Sequence, residues 1–188
     1  FQFDRVFGTE SDQTDIFETV SKPQVDHCLN GFNSCCFAYG QTGSGKTYSV
    51  FGEGGDERGI VPRSIEYLFE QLDSRSKHKN VALAVSFLEI YCDQIRDLGK
   101  AYLDKSGRSG PAGTSTSTTK TSDWYEKSIL QRQSSFVKTD DDHLSNAPEI
   151  EKHEIHEDAN RNVFVKDLSV IPVTSPEEVI TVVQMGLK

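Results

Sequence analysis

The feature that most constrains this chain is an eight-residue loop with the pattern G-x-x-x-x-G-K-[ST]. The loop reads Gly40-Gln41-Thr42-Gly43-Ser44-Gly45-Lys46-Thr47. In this pattern the glycines let successive backbone N–H groups turn toward phosphates, and the N-terminus of the following helix adds positive potential. The lysine places a positive charge on the β- and γ-phosphates, and the hydroxyl of the last residue is placed to bind Mg²⁺. The sequence therefore predicts a phosphate-binding loop (P-loop) for a nucleoside triphosphate and Mg²⁺.

The residues on either side of the loop favour this interpretation. The apolar run at residues 34–39 predicts a strand buried on both faces, and a helix is expected to begin near Lys46. Residues 52–59 are rich in glycine and charge and predict a loop. Pro62 suits the first turn of the helix that follows. A strand, a P-loop and a helix in succession are what the motif requires, so a chance match is disfavoured.

Other stretches predict further strands and helices. Alternating or apolar patterns predict strands at residues 1–7, 81–98, 150–156, 162–168 and 170–173. Residues 14–29 predict an amphipathic helix. Asp12 or Thr14 would cap its start, and Asn30-Gly31 would end it. Pro23 lies inside this stretch and would kink the helix or divide it. Ser175 and Glu178 predict a capping box, with Pro176 at the first position of a final helix.

A change of composition suggests three segments. Residues 1–98 hold the P-loop, and residues 149–188 continue the same domain with a hairpin and a helix. Residues 99–148 are rich in Ser and Thr and sparse in apolar residues, so we expect a disordered insertion. A short helical or docking element within it would be built from Trp124, Tyr125, Ile129 and Leu130.

Charge and composition exclude several classes of function. The formal net charge is −9 with a pI near 5.0, so a whole-surface affinity for nucleic acid or anionic membranes is not expected. No apolar stretch reaches the roughly 20 residues of a membrane span. The spacing of Cys28, Cys35, Cys36 and Cys92 predicts buried, reduced thiols in a cytosolic protein. The chain begins without Met, and we expect it to be a piece of a longer protein.

Hydrolysis of a bound triphosphate needs more than a P-loop. An acidic residue must organise Mg²⁺, and another group must position the attacking water. By pattern alone Glu89 or Asp93 is a candidate for the acidic role, although a solvated carboxylate at a strand end is the favoured alternative. His153 and His156 are expected to be solvated rather than metal ligands.

The P-loop and its neighbours resemble the kinesin motor domain. Residues 33–48 match the pattern F-A-Y-G-Q-T-x-S-G-K-T of that family, from Phe37 to Thr47. Further segments match in order, and they cover nearly everything outside residues 99–148. These segments are residues 3–7, 59–63, 86–91, 95–98, 155–168 and 175–186.

The resemblance implies an α/β fold of the P-loop NTPase class, with a partial mixed central sheet flanked by helices. It implies ATP and Mg²⁺ as cofactors, microtubules as the partner, and a place in the cytoplasm on the cytoskeleton. The residues it assigns to nucleotide binding are Gly40, Gln41, Thr42, Gly43, Ser44, Gly45, Lys46, Thr47 and Tyr48. Thr47 is the expected Mg²⁺ ligand, Glu89 becomes structural, and Tyr48 either lies near the adenine or packs at the helix start.

Other motifs of this family are not found in the sequence. The R-x-R-P strand would precede Phe1, and switch I (N-x-x-S-S-R-S-H) and switch II (D-L-A-G-S-E) would follow Lys188. We therefore expect a motor in the parent protein and weak or no hydrolysis by these residues alone, with the catalytic residues unknown. Direction of movement, cargo, subfamily and oligomeric state stay open. The alternatives are a non-catalytic nucleotide-binding scaffold with a regulated insertion and a different P-loop enzyme, such as a nucleotide kinase or helicase.

Overall fold

The computed structural model describes residues 2–75, 81–107 and 153–187. It contains both helices and strands, in agreement with the α/β class expected from the sequence. The chain forms two compact units, Phe1–Val81 and Ala82–Lys188. Among the described residues, no helix is both long and apolar enough to cross a membrane.

A divided helix opens the first unit. It consists of α1 (Gln13–Ile16), a π-helical segment (Phe17–Ser21) and α2 (Lys22–Leu29). Asp12 caps α1 in a capping box with Asp15, which confirms Asp12 as the predicted cap. The predicted division is also confirmed, because the regular α-helical hydrogen bonding changes directly before Pro23. The helix ends at Asn30 and Gly31 as expected, with Gly31 at a φ of +92°.

Two further helices follow the P-loop. α3 (Lys46–Val50) begins at the predicted residue, a 3₁₀ turn (Gly55–Glu57) lies in the predicted loop, and α4 (Ile60–Arg75) carries Pro62 in its first turn. α4 packs against the divided helix. The rings of Phe17 and Tyr67 meet edge to face, with centroids 6.0 Å apart.

Two predicted strands of the first unit are not formed. Residues 2–7 and 34–39 have no regular strand structure, and the side chains of Phe37 and Tyr39 are 83% and 94% exposed. The prediction of a strand at residues 34–39 buried on both faces is therefore wrong for this structure. A strand is stabilised by hydrogen bonds to a neighbouring strand, and the described part of the first unit offers none.

The described residues of the second unit form three two-stranded antiparallel sheets. They pair β1 (Leu83–Val85) with β6 (Ile171–Val173), β2 (Leu88–Tyr91) with β3 (Gln94–Asp97), and β4 (Ile155–Glu157) with β5 (Val163–Val165). The last pair confirms the predicted hairpin, with Ile155 opposite Val165. Among the described residues the strands form separate pairs, and not the partial mixed central sheet that the resemblance implied.

The long strand predicted over residues 81–98 is divided by a tight turn. Cys92 and Asp93 connect β2 to β3 and have φ angles of +49° and +60°. Positive φ at both central residues is what a type I′ hairpin turn requires, and Asn-Gly is the sequence that usually signals it. Because neither residue is Gly or Asn, the alternating pattern concealed the turn.

Two helices also lie in the described part of the second unit. α5 (Lys100–Ser106) lies inside the predicted insertion, so the expectation of disorder is wrong for residues 100–106. α6 (Pro176–Gly186) starts at the predicted residue and is capped by the Ser175 hydroxyl. The Glu178 carboxylate binds the backbone N–H and hydroxyl of Thr174, one residue before the cap. Trp124, Tyr125, Ile129 and Leu130, with the rest of residues 108–148, lie outside the described residues.

The core of the second unit lies between β6 and α6. Ile171 and Val182 are fully buried, and Val173 and Val179 are nearly so. The Asp97 carboxylate at the end of β3 accepts hydrogen bonds from the backbone N–H groups of Gly99 and Ser169, which ties α5 to the segment before β6.

The four cysteines form no disulfide, but they are exposed. The prediction that they are buried is wrong. Cys35 and Cys36 lie in the segment that pairs with no strand, and Cys92 lies in the hairpin turn. Cys28 faces outward on α2, away from the packed face of that helix.

Candidate functional site: the P-loop and its surroundings

The P-loop has the backbone conformation for which its glycines are needed. Gly43 and Gly45 have φ angles of +81° and +87°, and a Cβ atom added at either position would meet no other atom within 4 Å. Glycine is therefore needed at these two positions because the backbone is left-handed, and not because a side chain would lack space. At Gly40 the reason differs, since a Cβ atom there would lie 2.5 Å from the Ser44 hydroxyl oxygen.

Several backbone N–H groups of the loop are free to bind an anion. The N–H of Ser44 donates to the Gln41 carbonyl at 3.2 Å. Those of Gly43, Gly45 and Lys46 have no acceptor among the described residues. All the residues from Gly40 to Gly45 are exposed. An exposed loop with unpaired donors and left-handed glycines fits the phosphates of a nucleotide.

The Lys46 side chain lies across the loop. Its ammonium Nζ donates to the carbonyl oxygens of Gly40 at 2.8 Å and Gln41 at 2.7 Å. Both acceptors are neutral, and a charged phosphate oxygen is a stronger acceptor for an ammonium group. A phosphate bound in the loop would therefore compete with these two carbonyls for the ammonium group.

Thr47 follows Lys46 in the first turn of α3 and is exposed. In the parts of the chain that the structure describes, no group of three His, Cys, Asp or Glu side chains is arranged to hold a metal ion. Mg²⁺ commonly takes one or two protein ligands and fills its remaining positions with phosphate oxygens and water. The Thr47 hydroxyl fits that mode of binding.

Tyr48 is held by two residues that the sequence did not point to. Its hydroxyl donates to the Glu57 carboxylate, and its backbone carbonyl accepts from Gln13 Nε2 at 2.8 Å. The hydrogen bond to Glu57 is the main cause that raises the pKa of Tyr48, burial acts in the same direction, and Gln13 opposes it. Gln13 is 4% exposed. The local sequence indicates neither contact. Gln13, for example, lies 35 positions from Tyr48.

The acidic candidates Glu89 and Asp93 take structural places in the second unit. Glu89 on β2 pairs with Arg96 on β3 at 3.3 Å, and both side chains are exposed. Asp93 is a central residue of the hairpin turn. These places agree with the interpretation of Glu89 as a structural residue.

The two histidines of the hairpin make local contacts. His153 Nδ1 lies 3.1 Å from the Lys166 carbonyl oxygen, and the His156 ring stacks on Phe164 with centroids 6.0 Å apart. His156 also lies 3.6 Å from the Glu154 carboxylate. These contacts tie the histidines to their own hairpin.

Comparisons with known proteins extend this description. The family model described as the kinesin motor domain matches residues 1–188. A kinesin heavy chain of Botryotinia fuckeliana is 36% identical over 189 aligned residues, which cover 99% of this chain and 16% of that protein. The kinesin-like protein KIN-12B of Oryza sativa subsp. japonica is 48% identical over 111 residues, covering 52% of this chain and 10% of that protein.

A solved structure is also similar. The structure of a fast kinesin, whose title refers to ATPase mechanism and interactions with microtubules, superposes with a TM-score of 0.70 at 33% identity. The match covers 99% of this chain and 40% of the solved chain. This likeness and the geometry of residues 40–47 define a P-loop nucleotide-binding protein. Within that class, the chain belongs to the kinesin motor domain family.

Proposed function

We propose that this chain binds MgATP through residues 40–47 and that the whole protein is a microtubule motor. The observation that carries the proposal is the P-loop, with Gly43 and Gly45 in left-handed conformations and the Lys46 ammonium within the loop. Family membership supports ATP as the nucleotide and microtubules as the track. The same membership supports a location on the cytoskeleton, in the cytoplasm.

Four residues of the loop have a defined task in this proposal. The N–H groups of Gly43, Gly45 and Lys46 donate to phosphate oxygens, and the Lys46 ammonium moves from two carbonyls to the β- and γ-phosphates. The Thr47 hydroxyl would hold Mg²⁺, and the bound ion would supply positive charge next to the phosphates.

The residues that complete hydrolysis are not assigned. The 188 residues contain neither the N-x-x-S-S-R-S-H nor the D-L-A-G-S-E motif of the family. A P-loop positions phosphates, but rapid hydrolysis also needs a group that orients the attacking water. We therefore propose that these residues alone hydrolyse ATP slowly or not at all.

The test is the ATPase rate of the whole protein with and without microtubules. We expect microtubules to stimulate the rate, and Lys46→Ala to lower it by at least about ten-fold, because charge-assisted hydrogen bonds to phosphate are lost. Lys105→Ala, which removes an exposed lysine of α5, is the matched control and should leave the rate unchanged.

Different failures of this test have different meanings. ATP binding without hydrolysis in the whole protein would favour the non-catalytic scaffold. Microtubule-stimulated hydrolysis by the 188 residues alone, abolished by Lys46→Ala, would contradict the proposal that these residues are insufficient.

A further inference from the structure

The loop that follows α3 folds back toward that helix. We call residues 52–59 the 52–59 loop. Its ends are joined by a β-bridge between Gly52 and Arg58, and the N–H of Gly59 donates to the Phe51 carbonyl at 3.0 Å. The N–H of Glu53 also donates to the Glu57 carbonyl at 3.1 Å. These backbone contacts give the loop a defined shape and bring Glu57 to the side of Tyr48.

Two arginines fix the peptide on either side of Glu57. Arg63, on α4, donates from Nε to the Arg58 carbonyl and from Nη2 to the Asp56 carbonyl, both at 2.8 Å. Arg58 pairs with Glu66 of α4. The chain before and after Glu57 is therefore anchored to a 16-residue helix. The Glu57 carboxylate itself binds the Tyr48 hydroxyl.

Tyr48 is held from a second direction by Gln13. The buried side chain of Gln13 donates from Nε2 to the Tyr48 carbonyl at 2.8 Å. The side chain and the main chain of Tyr48 are thus each fixed by a different element. α3 has only five residues, and a helix of that length is marginal without such contacts.

We propose that Glu57 is a positioning residue for nucleotide binding, acting through its hydrogen bond to Tyr48 on α3. The inference rests on the proposed binding of MgATP at residues 40–47. Lys46, Thr47 and Tyr48 are consecutive, so a side chain that fixes Tyr48 also fixes the helix turn that carries the phosphate and Mg²⁺ ligands. A hydrogen bond to a carboxylate is stronger than one between neutral groups, and ordering a site before binding raises its affinity.

The experiment measures the MgATP affinity of the chain by calorimetry. Glu57→Ala should weaken binding about three- to ten-fold, the value of one such hydrogen bond. The matched control is Glu53→Ala, which removes an exposed carboxylate from the same loop without removing a bond to the phenol, and it should bind like the parent. Glu57→Gln retains an acceptor oxygen and should lie between the parent and Glu57→Ala.

A double substitution tests the contact itself. Tyr48→Phe keeps the ring and removes the donor, so Tyr48→Phe combined with Glu57→Ala should be no weaker than the poorer single variant. Additive losses would overturn the positioning role. Glu57→Ala should also bring the titration of Tyr48 to lower pH, because the Glu57 carboxylate raises the pKa of Tyr48. Absorbance of tyrosinate, with Tyr48→Phe as the blank, measures this change without nucleotide.

The remaining outcomes separate this inference from the proposed function. If Lys46→Ala abolishes binding while Glu57→Ala and Glu53→Ala both bind like the parent, only the role of Glu57 is overturned. If Lys46→Ala binds MgATP as well as the parent, the P-loop assignment fails, and the role of Glu57 fails with it.

Discussion

Tyr67 joins two helices of the first unit through one side chain. Its hydroxyl donates to the Asp26 carboxylate at 2.9 Å, so α4 is tied to α2. The Lys22 ammonium lies 5.5 Å from the ring centroid and binds the Glu18 carboxylate at 2.5 Å. The hydrogen bond to Asp26 is the main cause that raises the pKa of Tyr67, and burial adds to it. The hydrogen bond between Tyr67 and Asp26 therefore requires that the Tyr67 hydroxyl keeps its proton.

The raised pKa of Tyr67 makes stability depend on pH. The contribution is fully present below the unfolded value near 10.0 and is lost as the pH rises through the folded pKa, because the unfolded chain releases the proton first. We expect the urea midpoint of the parent to fall more steeply between about pH 9 and about pH 11 than that of Tyr67→Phe. Tyr39→Phe, at a site that is 94% exposed, should keep the slope of the parent. Equal slopes for the parent and Tyr67→Phe would contradict this account.

Some residues of the site could be predicted from the sequence, and others could not. Gly43, Gly45, Lys46 and Thr47 were predictable because the motif links residue type to backbone geometry over a few positions. Gln13 and Glu57 were not, because they reach Tyr48 only through the fold. A glutamine at a helix start and a glutamate in a charged loop look like solvated residues in a single sequence.

Elements with local signals were predicted more accurately than elements that depend on distant partners. α4 and α6 begin near their prolines, α1 begins after its cap, and the β4–β5 hairpin forms around its polar turn. The apolar runs at residues 1–7 and 34–39 predicted strands, but a strand forms only with a partner. β1 illustrates the same dependence, since it pairs with the distant strand β6, where Leu83 lies opposite Val173.

The β2–β3 turn offers a test at the scale of an element. Asp93 has a φ of +60°, which is unfavourable for a residue with a Cβ atom. We expect Asp93→Gly to raise the free energy of unfolding by about 1 kcal/mol, measured by urea denaturation. The same substitution at Asp104, inside α5, should lower it by about 1 kcal/mol. A loss of stability for Asp93→Gly would mean that the strand continues through the turn.

At the scale of the whole molecule, the chain corresponds to only part of its relatives. It spans 16% of the Botryotinia fuckeliana heavy chain and 40% of the solved fast kinesin. Its formal net charge of −9 does not attract an acidic surface such as that of tubulin. Movement along microtubules is therefore proposed for the whole protein, whereas MgATP binding is proposed for residues 40–47.

The most direct test of the central claim is a calorimetric titration of the chain with ATP in the presence of Mg²⁺. We predict saturable binding that Lys46→Ala weakens at least about ten-fold, because the ammonium no longer meets the phosphates. Lys105→Ala should bind like the parent, and Thr47→Ala should weaken binding only when Mg²⁺ is present. Absence of binding by the parent, or binding that Lys46→Ala leaves unchanged, would contradict the assignment of the P-loop as the nucleotide site.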